Sequence, residues 1–215
     1  MFLEYLIMTP ILLFTLTIHE VSHGYVAYLL GDDTAKRAGR LTLNPLKHLD
    51  IIGLLMLFII KIGWAKPVPI NPNNFKNFKR DTALTAAAGP TANFILAIVF
   101  SIFFRIVLHF SGNIYTYNHS VLFQFLIKIL YLTIFYNSAL GLFNLIPFPP
   151  LDGSKILGGF LSDELYFKFT AQERNGMVIF MVLMGASYIF NLNILGSIIM
   201  PPLNFLMQLL TGINI

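Results

Sequence analysis

Cysteine is absent from this chain of 215 residues, and its absence limits how the protein could be stabilised and how it could bind a metal. Without thiols the chain can form no disulfide, and it can offer no thiolate to a metal ion. Any protein ligand of a metal must therefore be a histidine, an aspartate or a glutamate.

Charged side chains are also scarce, which indicates an integral membrane protein. They make up 11% of the residues, whereas hydrophobic residues make up 56%, and the mean hydropathy is +0.73. A typical soluble domain has about 25% charged residues. The net charge of +4 does not indicate nucleic-acid binding, because no basic stretch is interleaved with exposed aromatic residues. We expect a single membrane-embedded domain over residues 1–215, with no soluble regulatory module.

Apolar runs along the chain predict several membrane passes. A helix rises about 1.5 Å per residue, and the hydrocarbon layer is about 30 Å thick. Three runs are long enough to cross it, namely residues 2–30, 82–110 and 121–148. Residues 51–64 are apolar but too few, which favours a re-entrant or interfacial segment. Residues 176–190 and 195–210 form a final apolar pair, predicted as a C-terminal hairpin.

The first apolar run contains the motif His19-Glu20-Val21-Ser22-His23. Residues four apart lie on one face of a helix, so His19 and His23 can direct two imidazoles at one ion. Glu20 lies about 100° round the helix from His19, where its carboxylate can take a proton from metal-bound water. Ionisable side chains at membrane depth cost about 3 kcal/mol each unless they are paired or bind a metal. The motif therefore predicts a catalytic zinc ion with Glu20 as the general base.

A catalytic zinc ion needs a third protein ligand, and the sequence offers several candidates. The positions that hold a further glycine and histidine in a common soluble form of the motif hold Val26 and Leu29 here. Asp152 follows the third long run, after three prolines that unwind the helix, and this place favours it. On the residues alone, an ordinary helix end with a surface aspartate explains this stretch equally well. The other candidates are His48, Asp50, His109 and His119.

Taken together, these motifs resemble the site-2 protease family of intramembrane zinc metalloproteases. The resemblance rests on the histidine motif, on Gly89-x-x-x-Asn93, and on Asn144-x-x-Pro147-x-Pro149-x-x-Asp152-Gly153. Residues 39–45 and 63–68 resemble the compact prokaryotic branch of that family, which lacks PDZ and CBS domains. The resemblance covers nearly the whole chain, with the motifs in the expected order.

The resemblance implies a role for each catalytic residue. It makes His19, His23 and Asp152 the ligands of one zinc ion, and it makes Glu20 the general base. The implied function is hydrolysis of a peptide bond within or near a transmembrane segment. The expected partners are therefore the lipid bilayer and transmembrane protein or peptide substrates.

The resemblance also implies substrate contacts and a small β element. It places Asn93 and Asn144 near the bound substrate, although interhelical hydrogen bonds would explain both asparagines equally well. It further implies a membrane-associated β or re-entrant element between the first two core spans, supplied by residues 34–48 and 64–72. The expected fold is an all-α integral membrane protein with a three-span catalytic core, this small element and the C-terminal hairpin.

The distribution of lysine and arginine predicts the orientation. Most of them fall between residues 31 and 81, whereas residues 111–120 contain none. Loops rich in lysine and arginine stay in the cytoplasm. We therefore expect a multi-pass protein of the prokaryotic inner (plasma) membrane, with its N-terminus outside the cytoplasm and its active site toward the cytoplasmic side.

Two other functions could use the same residues. A membrane metal-binding or transport protein could carry an ion on His19, His23 and Asp152, and a scaffold could bind substrates without cutting them. A transport site has no need for Glu20 beside the first ligand, and a scaffold has no need for a complete catalytic set. A protease is therefore the preferred hypothesis.

Overall fold

The computed structural model describes residues 2–60, 64–111, 120–170, 173–190 and 192–213. Within those residues the chain is helical and contains no regular β-strand. Its α-helices are α1 (Phe2–Leu29), α2 (Thr34–Arg37), α3 (Ile51–Ile60), α4 (Phe78–Ser111), α5 (Val121–Asn144), α6 (Asp152–Phe160), α7 (Asp163–Thr170), α8 (Glu173–Ile189) and α9 (Ile194–Thr211). One-turn 3-10 helices lie at Pro45–Lys47 and Pro72–Asn74.

Four of these helices are long and apolar enough to cross a membrane. The candidate spans are Leu6–Leu29 in α1, Phe78–Phe110 in α4, Val121–Asn144 in α5 and Ile194–Thr211 in α9. Helices satisfy their own backbone groups, which is why they can lie in lipid. The all-α membrane fold predicted from the sequence is confirmed at this level. The two predicted C-terminal segments form α8 and α9, of which α9 packs against α4 and α5.

Helix α4 packs against α1, α5, α6 and α9. A buried apolar cluster joins α4, α5 and α9. It consists of Ala97, Phe104, Leu130, Ile134, Leu203 and Met207. Gly141 on α5 allows close approach, because a Cβ there would lie 2.9 Å from Cζ of Phe94 on α4. Small residues let helices approach closely in lipid, where no hydrophobic force draws them together.

The predicted β element is not confirmed among the described residues. Residues 34–48 and 64–72 contain α2 and a one-turn helix, and the nearest feature to a strand is an isolated antiparallel bridge between Leu49 and Ala65. One backbone hydrogen bond joins the two segments, from the N–H of Lys66 to the carbonyl of His48 at 2.8 Å, and hydrogen bonds from side chains add to it. Arg40 Nη2 donates to the carbonyl of Lys66 at 2.7 Å, and the ring of His48 donates to the carbonyl of Thr42 at 2.8 Å.

The short apolar segment predicted at 51–64 forms α3 over its first ten residues. At about 1.5 Å per residue this helix is about 15 Å long, half the thickness of the hydrocarbon layer. It is not one of the four candidate spans. Residues 61–63 lie outside the described residues, and a re-entrant path for this segment stays a prediction.

Asp32 lies just beyond the end of α1 and links residues 71–74 to that end through hydrogen bonds. Its buried carboxylate accepts hydrogen bonds from the backbone N–H of Asn71, the side chain of Asn74 and the backbone N–H of Thr34, at 2.7, 2.7 and 3.1 Å. Burial alone would raise the pKa of Asp32, but hydrogen bonds from Thr34, Asn71 and Asn74 outweigh it, and the pKa lies below its usual range. The carboxylate therefore stabilises the fold in its charged form.

Replacing Asp32 with asparagine should lower the melting temperature in detergent by about 4–8 °C. The new amide presents a donor to groups that themselves donate, which costs about 2 kcal/mol. Because the pKa of Asp32 is depressed, its contribution is present above about pH 4, the usual aspartate value. The contribution is lost as the pH falls through the folded-state pKa. Differential scanning calorimetry of the wild type and the Asp32 variant, repeated from pH 7 downward, measures the difference in melting temperature.

The matched control is Asp33→Asn at the next position. Asp33 is half exposed and pairs with the exposed side chain of Arg37, and such surface pairs contribute about 0.5 kcal/mol. Equal loss of stability in the Asp32 and Asp33 variants would contradict the structural role given to Asp32.

Candidate metal centre and active site

His19 and His23 lie on the face of α1 that packs against α4. Both residues are buried, with 5% and 7% of their surface exposed. Their Nε2 atoms are 3.0 Å apart, and their rings are nearly perpendicular, at 86°. The four-residue spacing on the helix thus directs both imidazoles at one point.

Asp152 reaches the same point from a different helix. Helix α5 ends at Asn144, and Asp152 is the first residue of α6, after a turn that contains a cis peptide bond between Pro149 and Pro150. Asp152 Oδ2 lies 3.1 Å from His19 Nε2 and 3.2 Å from His23 Nε2. The turn is tight, since a Cβ at Gly153 would lie 2.3 Å from the carbonyl oxygen of Leu145.

Gly89 closes the cluster from the side of α4. A Cβ at this position would lie 2.4 Å from His23 Nε2 and 2.6 Å from His19 Cε1. Such distances are far shorter than a normal van der Waals contact, so a side chain would occupy the space between the imidazoles. The glycine of the Gly89-x-x-x-Asn93 motif therefore leaves room for the site.

Each histidine is held at its other ring nitrogen. His23 Nδ1 lies 2.7 Å from the carbonyl oxygen of Thr85, and His19 Nδ1 lies 2.6 Å from Oδ1 of Asn93. A carbonyl oxygen can only accept, so Nδ1 carries the proton in both rings. In a neutral imidazole the lone pair then lies on Nε2, which faces the cluster. This is the arrangement of metal-ligating histidines, whose second nitrogen is bonded to a carbonyl or carboxylate.

The donor set fits a zinc ion. His19, His23 and Asp152 each offer one ligand atom, and these atoms lie within 4.8 Å of one another. The buried Oδ2 of Asp152 has no hydrogen-bond partner of good geometry. Two nitrogen lone pairs and one carboxylate oxygen repel one another unless a cation lies between them. Two imidazoles and one carboxylate, with a position left open for water, are typical of catalytic zinc sites.

Glu20 is held next to this cluster by the segment that follows α3. Its Oε2 accepts a hydrogen bond of 2.9 Å from the backbone N–H of Val68, which is itself buried. The segment around Val68 is in turn bonded to Arg40 through the carbonyl of Lys66 and to Asp32 through the N–H of Asn71. The residues predicted as a β element thus hold the predicted general base in place.

The structure places the two predicted substrate-binding asparagines differently. Asn93 is fully buried on α4 and bonds to His19, Asn137 and Thr15. Asn144 is the last residue of α5, is half-buried, and donates to the carbonyl of Leu140 in its own helix at 3.1 Å. For Asn93 the structure favours interhelical hydrogen bonding, and substrate contact by either residue stays a prediction.

The other candidate ligands lie apart from the cluster in the described part of the chain. His48 is bonded to the carbonyl of Thr42, and Asp50 accepts from the N–H of Gly53 at 2.8 Å. His109 lies near the end of α4 with its ring against that of Phe110. None of the three belongs to the His19, His23 and Asp152 group. His119 lies outside the described residues.

The sequence does not reveal the parts that Thr85 and Val68 play at the site. Both act through backbone atoms, which every residue carries, so the identity of the side chain gives no signal. Asn137 was missed as well, although a second asparagine within a predicted span is a signal in itself, because polar groups in lipid require partners.

Comparison with known proteins identifies the family. The sequence matches peptidase family M50 over residues 7–186. YwhC of Bacillus subtilis, named as a candidate zinc metalloprotease, is 40% identical over 184 residues, which cover 84% of this chain and 80% of that protein. Rip2 of Mycolicibacterium smegmatis, named likewise, is 30% identical over 176 residues, which cover 80% of this chain and 64% of that protein.

The matched part is less than two thirds of the length of Rip2, and no solved structure shows a significant match to the chain. The family match covers most of the chain, including the histidine motif and Asp152. The described structure adds four helices suited to cross a membrane and a cluster of two histidines and an aspartate that could hold a metal ion. The chain therefore belongs to peptidase family M50, the site-2 protease family of zinc metalloproteases that work within membranes.

Proposed function

We propose that this metalloprotease hydrolyses a peptide bond within or near a transmembrane segment of a membrane protein. One zinc ion, held by His19, His23 and Asp152, is the cofactor in this proposal. The observation that carries it is the convergence of three ligand atoms between α1, α4 and α6. Two of these helices are candidate membrane spans, which supports a substrate that is itself a transmembrane segment.

The chain's own groups divide the chemistry between them. A zinc ion at this site would make a bound water more acidic and polarise the scissile carbonyl. Glu20 takes the proton of the attacking water and delivers it to the leaving amine. The hydrogen bond from Val68 fixes one carboxylate oxygen of Glu20, which leaves the other oxygen for proton transfer. Thr85 and Asn93 keep the imidazoles turned toward the reacting atoms.

The depth of the site supports cleavage inside the bilayer. His23 lies about 9 Å along the helix axis from the end of α1 at Leu29. The segments that follow α1 carry most of the lysine and arginine, so the positive-inside rule assigns this end of α1 to the cytoplasm. We place the N-terminus outside the cytoplasm and the reacting bond below the cytoplasmic surface of the inner membrane.

A transmembrane substrate must unwind before it can be cut, because its carbonyls are bonded within its own helix. Asn144 is the better placed of the two predicted substrate contacts. It ends α5 beside the proline turn and is half-buried, whereas Asn93 is fully enclosed and bonded to protein groups. A half-buried amide at the point where a span unwinds can bond to the backbone of an extended substrate.

Zinc content and cleavage, measured on the same detergent-solubilised preparation, test this function. We expect one zinc ion per chain, cleavage of a purified transmembrane test substrate, loss of cleavage on chelation, and recovery when zinc is restored. A transport protein would bind zinc and leave the substrate intact. A scaffold would bind the substrate and leave it intact whether or not zinc is present. Either of these two results would overturn the proposal.

A further inference from the structure

A chain of buried amides lies behind His19, on the side away from the metal cluster. It runs from Asn93 on α4 to Asn137 on α5, and both side chains are fully buried. We propose that Asn137 is a positioning residue of the metal site, which acts through Asn93 to fix the nitrogen of His19 that carries the proton. This inference rests on the proposed role of His19 as a zinc ligand.

The contacts form a continuous path. Asn93 Oδ1 lies 2.6 Å from His19 Nδ1, and Asn93 Nδ2 donates to Oδ1 of Asn137 at 3.1 Å. Asn137 Nδ2 donates to the backbone carbonyl of Thr133 at 2.8 Å and to the hydroxyl of Thr15 at 3.0 Å. Asn93 Nδ2 also approaches the carbonyl of Thr15 at 3.4 Å. Three helices thus meet in one hydrogen-bonded group.

The hydrogen bonds along this path can run in only one direction, which is set by the backbone carbonyl of Thr133. The carbonyl of Thr133 can only accept, so the amide nitrogen of Asn137 must face it. The oxygen of Asn137 then faces Asn93 and fixes the nitrogen of Asn93 on that side. This leaves the oxygen of Asn93 facing His19.

The direction of this path determines which ring nitrogen of His19 carries the proton. Because an oxygen faces His19 Nδ1, that nitrogen must carry the proton, and the lone pair lies on Nε2. Turning either amide over would set two carbonyl oxygens or two NH2 groups against each other in a buried place, which is costly. Helix α5 supplies none of the three proposed ligands, yet in this way it controls one of them.

The two histidines differ in how much they depend on such a path. His23 bonds directly to the carbonyl of Thr85, a backbone atom that cannot turn over. His19 bonds to a side-chain amide whose two ends are nearly equal in shape. Only His19 therefore requires a further residue to set its proton, and this difference supplies an internal control.

Replacing Asn137 with leucine, of similar size, removes the shorter of the two hydrogen bonds that orient Asn93 and leaves only the 3.4 Å contact with the carbonyl of Thr15. We expect zinc affinity, measured by competition with a chelator, to fall about 10–100-fold, the usual effect of losing an outer partner of a ligand. In the metal-free protein, 15N NMR of the imidazoles should show His19 losing its preference for a proton on Nδ1, while His23 retains that preference.

Two control variants on the same helix distinguish loss of the orienting role of Asn137 from general destabilisation of the protein. Asn137→Asp keeps a carbonyl oxygen toward Asn93 and, as a neutral carboxyl group, a donor toward Thr133. It should keep zinc affinity within about threefold of wild type and leave the His19 tautomer unchanged. Ser138→Ala alters an equally buried neighbour whose hydroxyl has no hydrogen-bond partner, and it should also leave zinc affinity unchanged.

The inference is overturned if Asn137→Leu binds zinc like the wild type with His19 unchanged. It is also overturned if Asn137→Asp or Ser138→Ala weakens zinc binding as much as Asn137→Leu does. If the leucine variant does not fold, the aspartate variant still decides, because weak zinc binding by that variant contradicts the orienting role. A wild-type protein that binds no zinc would contradict the proposed function instead.

Discussion

Substitution of Glu20 by glutamine should stop cleavage of a transmembrane test substrate while one zinc ion remains bound. Glutamine has the size of glutamate, and its Oε1 can still accept from the N–H of Val68, so the side chain keeps its place. What it loses is the ability to take a proton. General base catalysis contributes about 10²–10⁴-fold, and the cleavage rate should fall by at least that factor.

The measurement is the initial rate of cleavage together with zinc per chain. Glu164→Gln is the matched control, because Glu164 is an exposed residue of α7 paired with Lys168. That variant should cleave at the wild-type rate. A Glu20→Gln protein that retained zinc and cleaved as fast as the wild type would show that another group is the base.

Substitution of Gly89 by alanine should weaken zinc binding about 10–100-fold and reduce cleavage accordingly. The added methyl group would lie 2.4 Å from His23 Nε2, so either α4 must move away or the ring must turn out of the site. Inserting a methyl group into a packed place costs about 1–3 kcal/mol, and every 1.4 kcal/mol changes an affinity tenfold. Chelator competition measures the change in zinc affinity.

Gly185→Ala provides the control for a glycine replaced within an apolar helix. Gly185 lies on α8, and a Cβ there would meet no atom within 4 Å. Zinc affinity should therefore be unchanged. If Gly89→Ala bound zinc as tightly as Gly185→Ala, the glycine would not be needed to make room for the metal.

The sequence predicts the metal cluster better than it predicts the groups around it. His19 and His23 are four residues apart, and the geometry of a helix alone places them together. Asp152 required the family motif, because no local rule brings a residue from the start of α6 to a helix so distant in sequence. Thr85 and Val68 act through their backbone, which leaves no trace in the identity of the residue.

The helices were also predicted more reliably than the segments between them. Apolar composition and length identify three of the four candidate spans, since lipid imposes both, whereas α9 is predicted from the sequence only as part of a C-terminal apolar hairpin. The third run was predicted to reach residue 148, whereas α5 ends at Asn144. The prolines at 147, 149 and 150 cannot continue a helix, and their effect extends back to the preceding residues. Residues 34–48 and 64–72 depend on contacts with Arg40, Asp32 and Glu20, which no local pattern predicts.

The position of Asp152 after α5 has a consequence for synthesis. The chain is made from its N-terminus, so α1, with His19 and His23, is synthesised long before Asp152, the third proposed ligand. Two imidazoles alone bind zinc weakly, and binding and folding of such a site are coupled. A nascent chain therefore holds the proposed general base and two of the proposed ligands without a complete metal site. The chain can become an active protease only after the proline turn beyond α5 has been synthesised.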